Sequence, residues 1–324
     1  MGLNTVLNPQ LFQGRKKGSP YFEGWYFKMA VSEQENAVLS VIPGISRDDD
    51  PEKSHAFIQV ITSLTTKSWY IRYPLEEFHA DEHTFLITIG LNRFSLDGIV
   101  LSIDHEDLHL HGRVYHSEVH SFPVTLLQPG IMGWYRYVPF MECFHGVVST
   151  HHVLKGVMTL NNDTVDFNRG RGYIEKDWGT SFPSAWVWMQ SNSFPNSSVS
   201  CMLSVARIPF LFRTFTGFLG FVEVDGRLIR FATYTGARIE TFSCTDSACT
   251  VGINTGREHI ELNASLGSAS HLKAPRQGSM DRIITESVMG TIALKICEKD
   301  GTVSFSETGI LSGIELSETQ DLEL

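Results

Sequence analysis

Along most of the chain, apolar and polar residues alternate in short runs separated by glycine, proline, asparagine and aspartate. A period of two is the signature of half-buried strands. In the first half it predicts strands over Gly24–Val31, Ala37–Ile42, Ala56–Leu64, Ser68–Tyr73, Thr84–Leu91, Ile99–Ile103 and Asp107–His111. In the second half it predicts them over Ala185–Ser191, Val199–Ala206, Phe218–Val224, Leu228–Tyr234, His259–Ala264, Gly290–Glu298 and Val303–Leu311. Asp225-Gly226 and Asp300-Gly301 read as hairpin turns. Helical periodicity is weak throughout, so the fold class is all-β. One segment, Pro129 to Gly146, is aromatic, Pro-bounded and too irregular for a clean strand; it is expected to line a pocket mouth, plug a barrel end or fill core.

The pattern also repeats. Tyr21-Phe22-Glu23-Gly24-Trp25-Tyr26-Phe27, followed by Leu39-Ser40-Val41, has a counterpart in Phe182-Pro183-Ser184-Ala185-Trp186-Val187-Trp188, followed by Leu203-Ser204-Val205. Each half is the size of a small antiparallel barrel able to hold one ligand. The expected organisation is therefore two tandem lipocalin-like antiparallel β-barrels, residues 1–170 and 171–324. A chain of 324 residues also exceeds what one core usually supports.

Charge narrows the partners. A formal net charge of −10 disfavours nucleic acid and anionic surfaces. Twenty-one phenylalanines suit a large core or a site for an apolar small molecule, with transient membrane contact to collect it. The opening residues lack an apolar leader, Gly2 lacks a myristoylation pattern, and no run of about 18 apolar residues occurs. A soluble, cytoplasmic protein is expected. The five cysteines form no CxxC pair, although Cys244 and Cys249 are spaced to bridge a short turn.

The chemistry concentrates in Gly170-Arg171-Gly172-Tyr173-Ile174-Glu175-Lys176-Asp177-Trp178-Gly179. In an extended segment Tyr173, Glu175 and Asp177 share one face, and two neighbouring carboxylates push one pKa upward. A structural alternative pairs Glu175 with Arg169 or Arg171. On the strand after it, Trp186, Trp188, Gln190 and Asn192 share a face, combining two aromatics with two hydrogen-bonding groups. A second polar run, Asp104 to His111, places His105, Asp107, His109 and His111 together if it is a strand; its spacing misses the cupin pattern, and a solvated face is expected rather than a metal site.

Several blocks together carry a family resemblance: Pro20 to Phe27, Met141-Glu142-Cys143-Phe144-His145-Gly146-Val147, Glu175-Lys176-Asp177-Trp178-Gly179 with Phe182-Pro183, Trp186 to Phe194, and Gly309 to Glu315. In this order they resemble the tocopherol cyclase family and, more distantly, bacterial carotenoid hydratases. The resemblance implies two lipocalin-like barrels and a reaction that begins by protonating a trisubstituted alkene. In the cyclases a phenolic hydroxyl of a prenylated hydroquinone captures the cation to close a chromanol; in the hydratases water does so. It implies Glu175 as the acid, with Asp177 as rival, and His145 as the group that orients or deprotonates the hydroxyl. Candidates to line the substrate are Trp25, Tyr26, Glu23, Trp178, Trp186, Trp188, Gln190 and Asn192. No metal or other cofactor is expected. A non-catalytic isoprenoid carrier on the same scaffold is the competing reading.

Overall fold

The computed structural model describes residues 3–32, 36–65, 67–139, 141–210 and 213–323. Phe140, within the irregular 129–146 segment, lies outside the described residues. The chain folds as two compact units, each built on one large antiparallel sheet.

The first unit comprises residues 1–136, 142–182 and 272–283. Its strands are β1 (Tyr21–Val31), β2 (Ala37–Arg47), β3 (His55–Thr62), β4 (Ser68–Tyr73), β5 (Phe78–Ala80) and β6 (Leu86–Ile89). They continue with β7 (Asn92–Ser95), β8 (Gly98–His105), β9 (Leu108–Ser121), β10 (Cys143–Leu160), β11 (Asp163–Asp166) and β12 (Arg171–Gly179). The hydrogen-bonded order is β4-β3-β2-β1-β12-β10-β9-β8-β7-β6-β5, with β11 beside β10. The sheet curls until its ends meet: Trp69 of β4 donates Nε1–H to Asp107 after β8 at 2.8 Å, and Asn92 of β7 donates to the Tyr73 hydroxyl at 3.3 Å. Rings close the interior from opposite walls. Phe27 lies 5.6 Å from Phe94 and stacks on Phe85 at 6.0 Å, and Trp25 stacks on Phe78 at 6.3 Å. The β1 residues are buried on both faces except Gly24, so this strand carries no simple alternation.

The second unit comprises residues 137–141, 183–271 and 284–324. Its sheet contains β13 (Trp186–Ser191), β14 (Val199–Phe210), β15 (Arg213–Val224), β16 (Arg227–Ala232), β17 (Arg238–Cys244) and β18 (Ala248–Asn254). It is completed by β19 (Glu258–Ser265), β20 (Ala269–Arg276), β21 (Ser279–Glu298) and β22 (Val303–Ser317), of which residues 272–283 belong to the first unit. The order is β16-β15-β14-β13-β22-β21-β19-β18-β17, with β20 beside β21. It wraps one apolar core that includes Val187, Met189, Leu203, Val222, Phe231, Val251, Leu262, Leu294 and Ile314. Cys244 and Cys249 are joined as a disulfide at the end of the β17–β18 hairpin.

The two sheets share a topology. In each, a four-strand meander begins at the tryptophan-bearing strand, β1 or β13, and that strand's other edge pairs with the last strand of its own sheet, β12 or β22. The fold is two lipocalin-like antiparallel barrels, and the sequence repeat marks the leading strand of each. The boundary expected at residue 170 moves, however. Strand β12 inserts between β1 and β10, which ties residues 171–182 to the first unit.

The longest strand of the first unit, β10, was not expected. Its 18 residues include Ser149, Thr150, His151, His152 and Lys155, and its pairing with β12 slips between Val147 and Ser149 and again between Ser149 and His152. Bulges of this kind shift side chains from one face to the other and erase the period of two.

Candidate active site

Strand β12 sits at the middle of the first sheet with a neighbour on each side, so its register determines what each side chain meets. Tyr26 is opposite Glu175 and Gly24 opposite Asp177 on β1; Val147 is opposite Glu175 and His145 opposite Asp177 on β10. Directly opposed residues share a face. Tyr173, Glu175, Asp177, Tyr26 and His145 therefore lie together on the face turned away from the barrel interior.

These side chains form a continuous polar chain. Tyr173 donates its hydroxyl to Glu175 Oε2 at 2.6 Å. His145 lies between the two carboxylates, with Nδ1 at 2.8 Å from Asp177 Oδ1 and Nε2 at 3.3 Å from Glu175 Oε2. The Nε2 contact is a charge pair without hydrogen-bond alignment. Cys143 points its thiol toward Asp177 Oδ1 at 3.9 Å. The Glu175 residue is only 4% exposed and Tyr173 is fully buried. No ion pair joins Glu175 to Arg169 or Arg171 among the described residues, so the structural alternative from the sequence is not realised.

The electrostatics follow from this placement. Burial alone would pull the His145 pKa down, yet the Asp177 and Glu175 charges and the Asp177 hydrogen bond carry it well above its ordinary value. That direction favours the imidazolium form of His145, with its proton held between two carboxylates. Burial and the adjoining Glu175 push the Tyr173 hydroxyl well above the usual phenol range. Burial, with Asp177 and Glu142 nearby, does the same to the Cys143 thiol. His145, Glu175 and Asp177 also offer three donor atoms within 4.8 Å of one another, which is metal-ligand spacing. A metal ion would need the lone pair that the imidazolium proton occupies, so proton and metal compete for this trio.

Register sends the other predicted lining residues elsewhere. Trp25 opposes Lys176 and Glu23 opposes Trp178, one step out of phase with Glu175, so all four face the barrel interior. There the fully buried Glu23 and Lys176 form an ion pair. The Glu23 carboxylate also accepts the backbone N–H groups of Gln13 and Gly14 at 2.9 Å each, and Lys176 donates to Leu11 O at 2.8 Å. The ammonium lies 4.5 Å from the Trp25 ring centre and 4.8 Å from that of Trp178. Arg136, from the irregular segment, covers Trp178 at 4.8 Å and donates to Gln13 Oε1 at 2.6 Å. Trp25, Glu23 and Trp178 thus fill and plug the first barrel together with the N-terminal segment. Lys176 is the residue that sequence reading missed in this cluster; its place two residues before Trp178, on the same strand face, was the available signal.

Trp186, Trp188, Gln190 and Asn192 are all buried and belong to the second unit. Val187 and Met189 enter that unit's core, so alternation sets Trp186, Trp188 and Gln190 on the opposite face. Trp186 donates Nε1–H to Glu315 Oε2 at 2.6 Å.

Comparison with known proteins adds a family. A family model described as tocopherol cyclase-like matches residues 117–317. The chain is 33% identical over 88 residues to a protein of Oryza sativa subsp. japonica named a probable chloroplastic tocopherol cyclase, covering 26% of this chain and 18% of that protein. It is 31% identical over 74 residues to a chloroplastic tocopherol cyclase of Zea mays, covering 23% and 16%. The alignments thus span less than a fifth of the length of these curated relatives. Among solved structures, kievitone hydratase from Nectria haematococca superposes with a TM-score of 0.53 at 12% identity, over 92% of this chain and 90% of that one. CghA in complex with Sch210972 does so with a TM-score of 0.55 at 11% identity, over 92% and 88%. At these identities the likeness is one of fold. No described helix is long and apolar enough to cross a membrane.

Proposed function

The chain belongs to the tocopherol cyclase-like family, and from that premise we propose that it is an acid–base enzyme that protonates the trisubstituted alkene of a prenylated hydroquinone and closes a chromanol ring. One observation carries the reading: the His145 ring held between the Glu175 and Asp177 carboxylates, with Tyr173 donating to Glu175.

Glu175 relays the proton held on His145. Its buried carboxylate takes that proton from the adjoining imidazolium and passes it to the alkene, leaving His145 neutral, so the cluster works as one coupled acid. Proton transfer to the less substituted alkene carbon leaves a tertiary cation, which the phenolic oxygen captures. That oxygen's proton returns to the cluster through His145, and the enzyme regains its starting state. Tyr26, opposite Glu175 on β1, is placed to offer a ring face to the passing charge. Asp177, with its side chain 24% exposed, holds His145 rather than meeting the alkene. The sequence is redox-neutral, so the chemistry itself calls for no electron carrier. An apolar substrate of this class is collected from a membrane surface by transient contact.

Incubation of the protein with a prenylated hydroquinone in deuterated, oxygen-18-labelled water tests the proposal. Cyclisation places one solvent deuterium on carbon and no labelled oxygen in the product. Labelled oxygen at the tertiary carbon would mean hydration instead, and tight binding without product would leave only a carrier.

A further inference from the structure

The hairpin of β8 and β9 carries Asp104-His105-Glu106-Asp107-Leu108-His109-Leu110-His111 around its turn. Sequence alternation groups Asp107 with the histidines, but the structure separates them. Glu106 and Asp107 form the turn itself, and Asp107 turns away to accept from Trp69 Nε1 at 2.8 Å and to pair with the Lys67 ammonium. Asp104 takes its place. It is the cross-strand partner of His109, and its Oδ1 lies 2.7 Å from His109 Nδ1 and 3.0 Å from His111 Nε2. One donor atom from each of the three residues lies within 4.8 Å of the others.

We propose that Asp104, His109 and His111 form a binding site for a divalent transition-metal ion of the zinc, nickel or copper type. His109 and His111 are two positions apart on β9, so their imidazoles leave the same face. The carboxylate arrives from the neighbouring strand and supplies the negative charge. Imidazole–zinc and carboxylate–zinc bonds are about 2.0–2.2 Å long. Donors around such an ion stand roughly 3.3 Å apart in tetrahedral geometry, so the observed spacings need only small side-chain adjustments. The backbone beneath is braced from the turn between β10 and β11: His109 N–H donates to Asn161 Oδ1 at 2.8 Å, and Asn161 N–H returns a bond to His109 O at 2.6 Å. Nearby cations are engaged elsewhere. Lys67 pairs with Asp107, and Arg113 lies over the Tyr115 ring and donates to its hydroxyl at 2.9 Å. Two imidazole donors of three select against calcium and magnesium, which take oxygen ligands. The ion would pin β8 to β9 where the hairpin is otherwise open to solvent. The inference stands independently of the reaction proposed above.

Calorimetric titration of the full-length protein, free of any histidine tag, with zinc, nickel and copper chlorides tests this. The expected result is one saturable site, tightest for copper, with zinc raising the thermal midpoint through mass action. Asp104→Asn, His109→Ala and His111→Ala should each weaken zinc binding tenfold or more, and the double His109→Ala/His111→Ala should abolish the thermal shift. These side chains are solvent-exposed, so the variants should fold as the parent does. His145→Gln, which disables the buried trio, should leave this site intact. Absence of saturable binding, binding unchanged in the double variant, or binding lost only in His145→Gln would each overturn the proposal.

Discussion

His145 and Asp177 are direct partners across β10 and β12, and their side chains close the pair with an Nδ1–Oδ1 contact of 2.8 Å. The neighbouring Glu175 carboxylate approaches the imidazole's other nitrogen, so one ring bridges both acids. A stability consequence follows. His145 titrates above its unfolded value, so its contribution is fully present below the unfolded pKa of about 6.5 and is lost as pH rises through the folded pKa. Asp177→Asn should therefore destabilise most at mildly acidic pH, by about 1.5–3 kcal/mol for a lost charged hydrogen bond. Urea titrations at pH 6 and pH 9 check this: the gap between variant and parent should narrow at the higher pH. A gap that widens would mean His145 is neutral in the native state.

His116 behaves in the opposite sense. Burial lowers its pKa to about 4, while its Nδ1 lies 3.1 Å from Leu96 O and its ring lies 4.2 Å from that of His152, also buried and also depressed. A group depressed in the native state stabilises above its unfolded pKa and withdraws that stability as pH falls from about 6.5 toward 4. Each such histidine contributes a slope of up to roughly 1.4 kcal/mol per pH unit. His116→Phe should flatten the acid limb of a stability–pH curve measured by urea unfolding. An unchanged slope would place the acid sensitivity elsewhere.

Lys176 and Glu23 define a structural centre behind the proposed catalytic one. Removing one partner of a buried ion pair typically costs about 3–5 kcal/mol. Lys176→Met should show a loss of that order, read from denaturant midpoints. Trp25→Leu should likewise lower stability while leaving KM for substrate unchanged, because Trp25 faces the barrel interior. A raised KM at full stability would return Trp25 to the substrate-lining role expected from sequence.

Gly179 closes β12 at φ +153°, and a Cβ there would meet the Glu142 carbonyl oxygen at 2.0 Å. That carbonyl accepts the Thr180 N–H at 2.7 Å, so the close approach is part of the strand ending. Gly179→Ala should cost about 1–3 kcal/mol through backbone strain and should shift β12 against β10. Thermal unfolding measures the loss; a variant as stable as the parent would contradict the geometry.

Much of this was legible in the sequence. Period-two runs located most strands because one face of most of them meets a core and the other does not. They failed on β10, where paired histidines and two slips break the period, and they also missed β5, β7, β11, β17, β18 and β20. Parity within β12 correctly grouped Tyr173, Glu175 and Asp177. Parity between strands depends on register, and register is a tertiary property: Trp25 aligns with Lys176 and Tyr26 with Glu175, so two adjacent candidates separate onto opposite faces. The same effect exchanged Asp107 for Asp104 beside His109. The resemblance supplied His145, but only the β10–β12 pairing shows that it meets both carboxylates.

The most direct test of the acid–base account compares the parent with Glu175→Gln on a prenylated hydroquinone, measuring single-turnover product formation and ligand binding on the same samples. Turnover should fall by about 10²–10⁴-fold, the usual worth of a positioned proton donor, while the dissociation constant stays within a few fold. Product formation at the parental rate in the substituted protein would contradict the account.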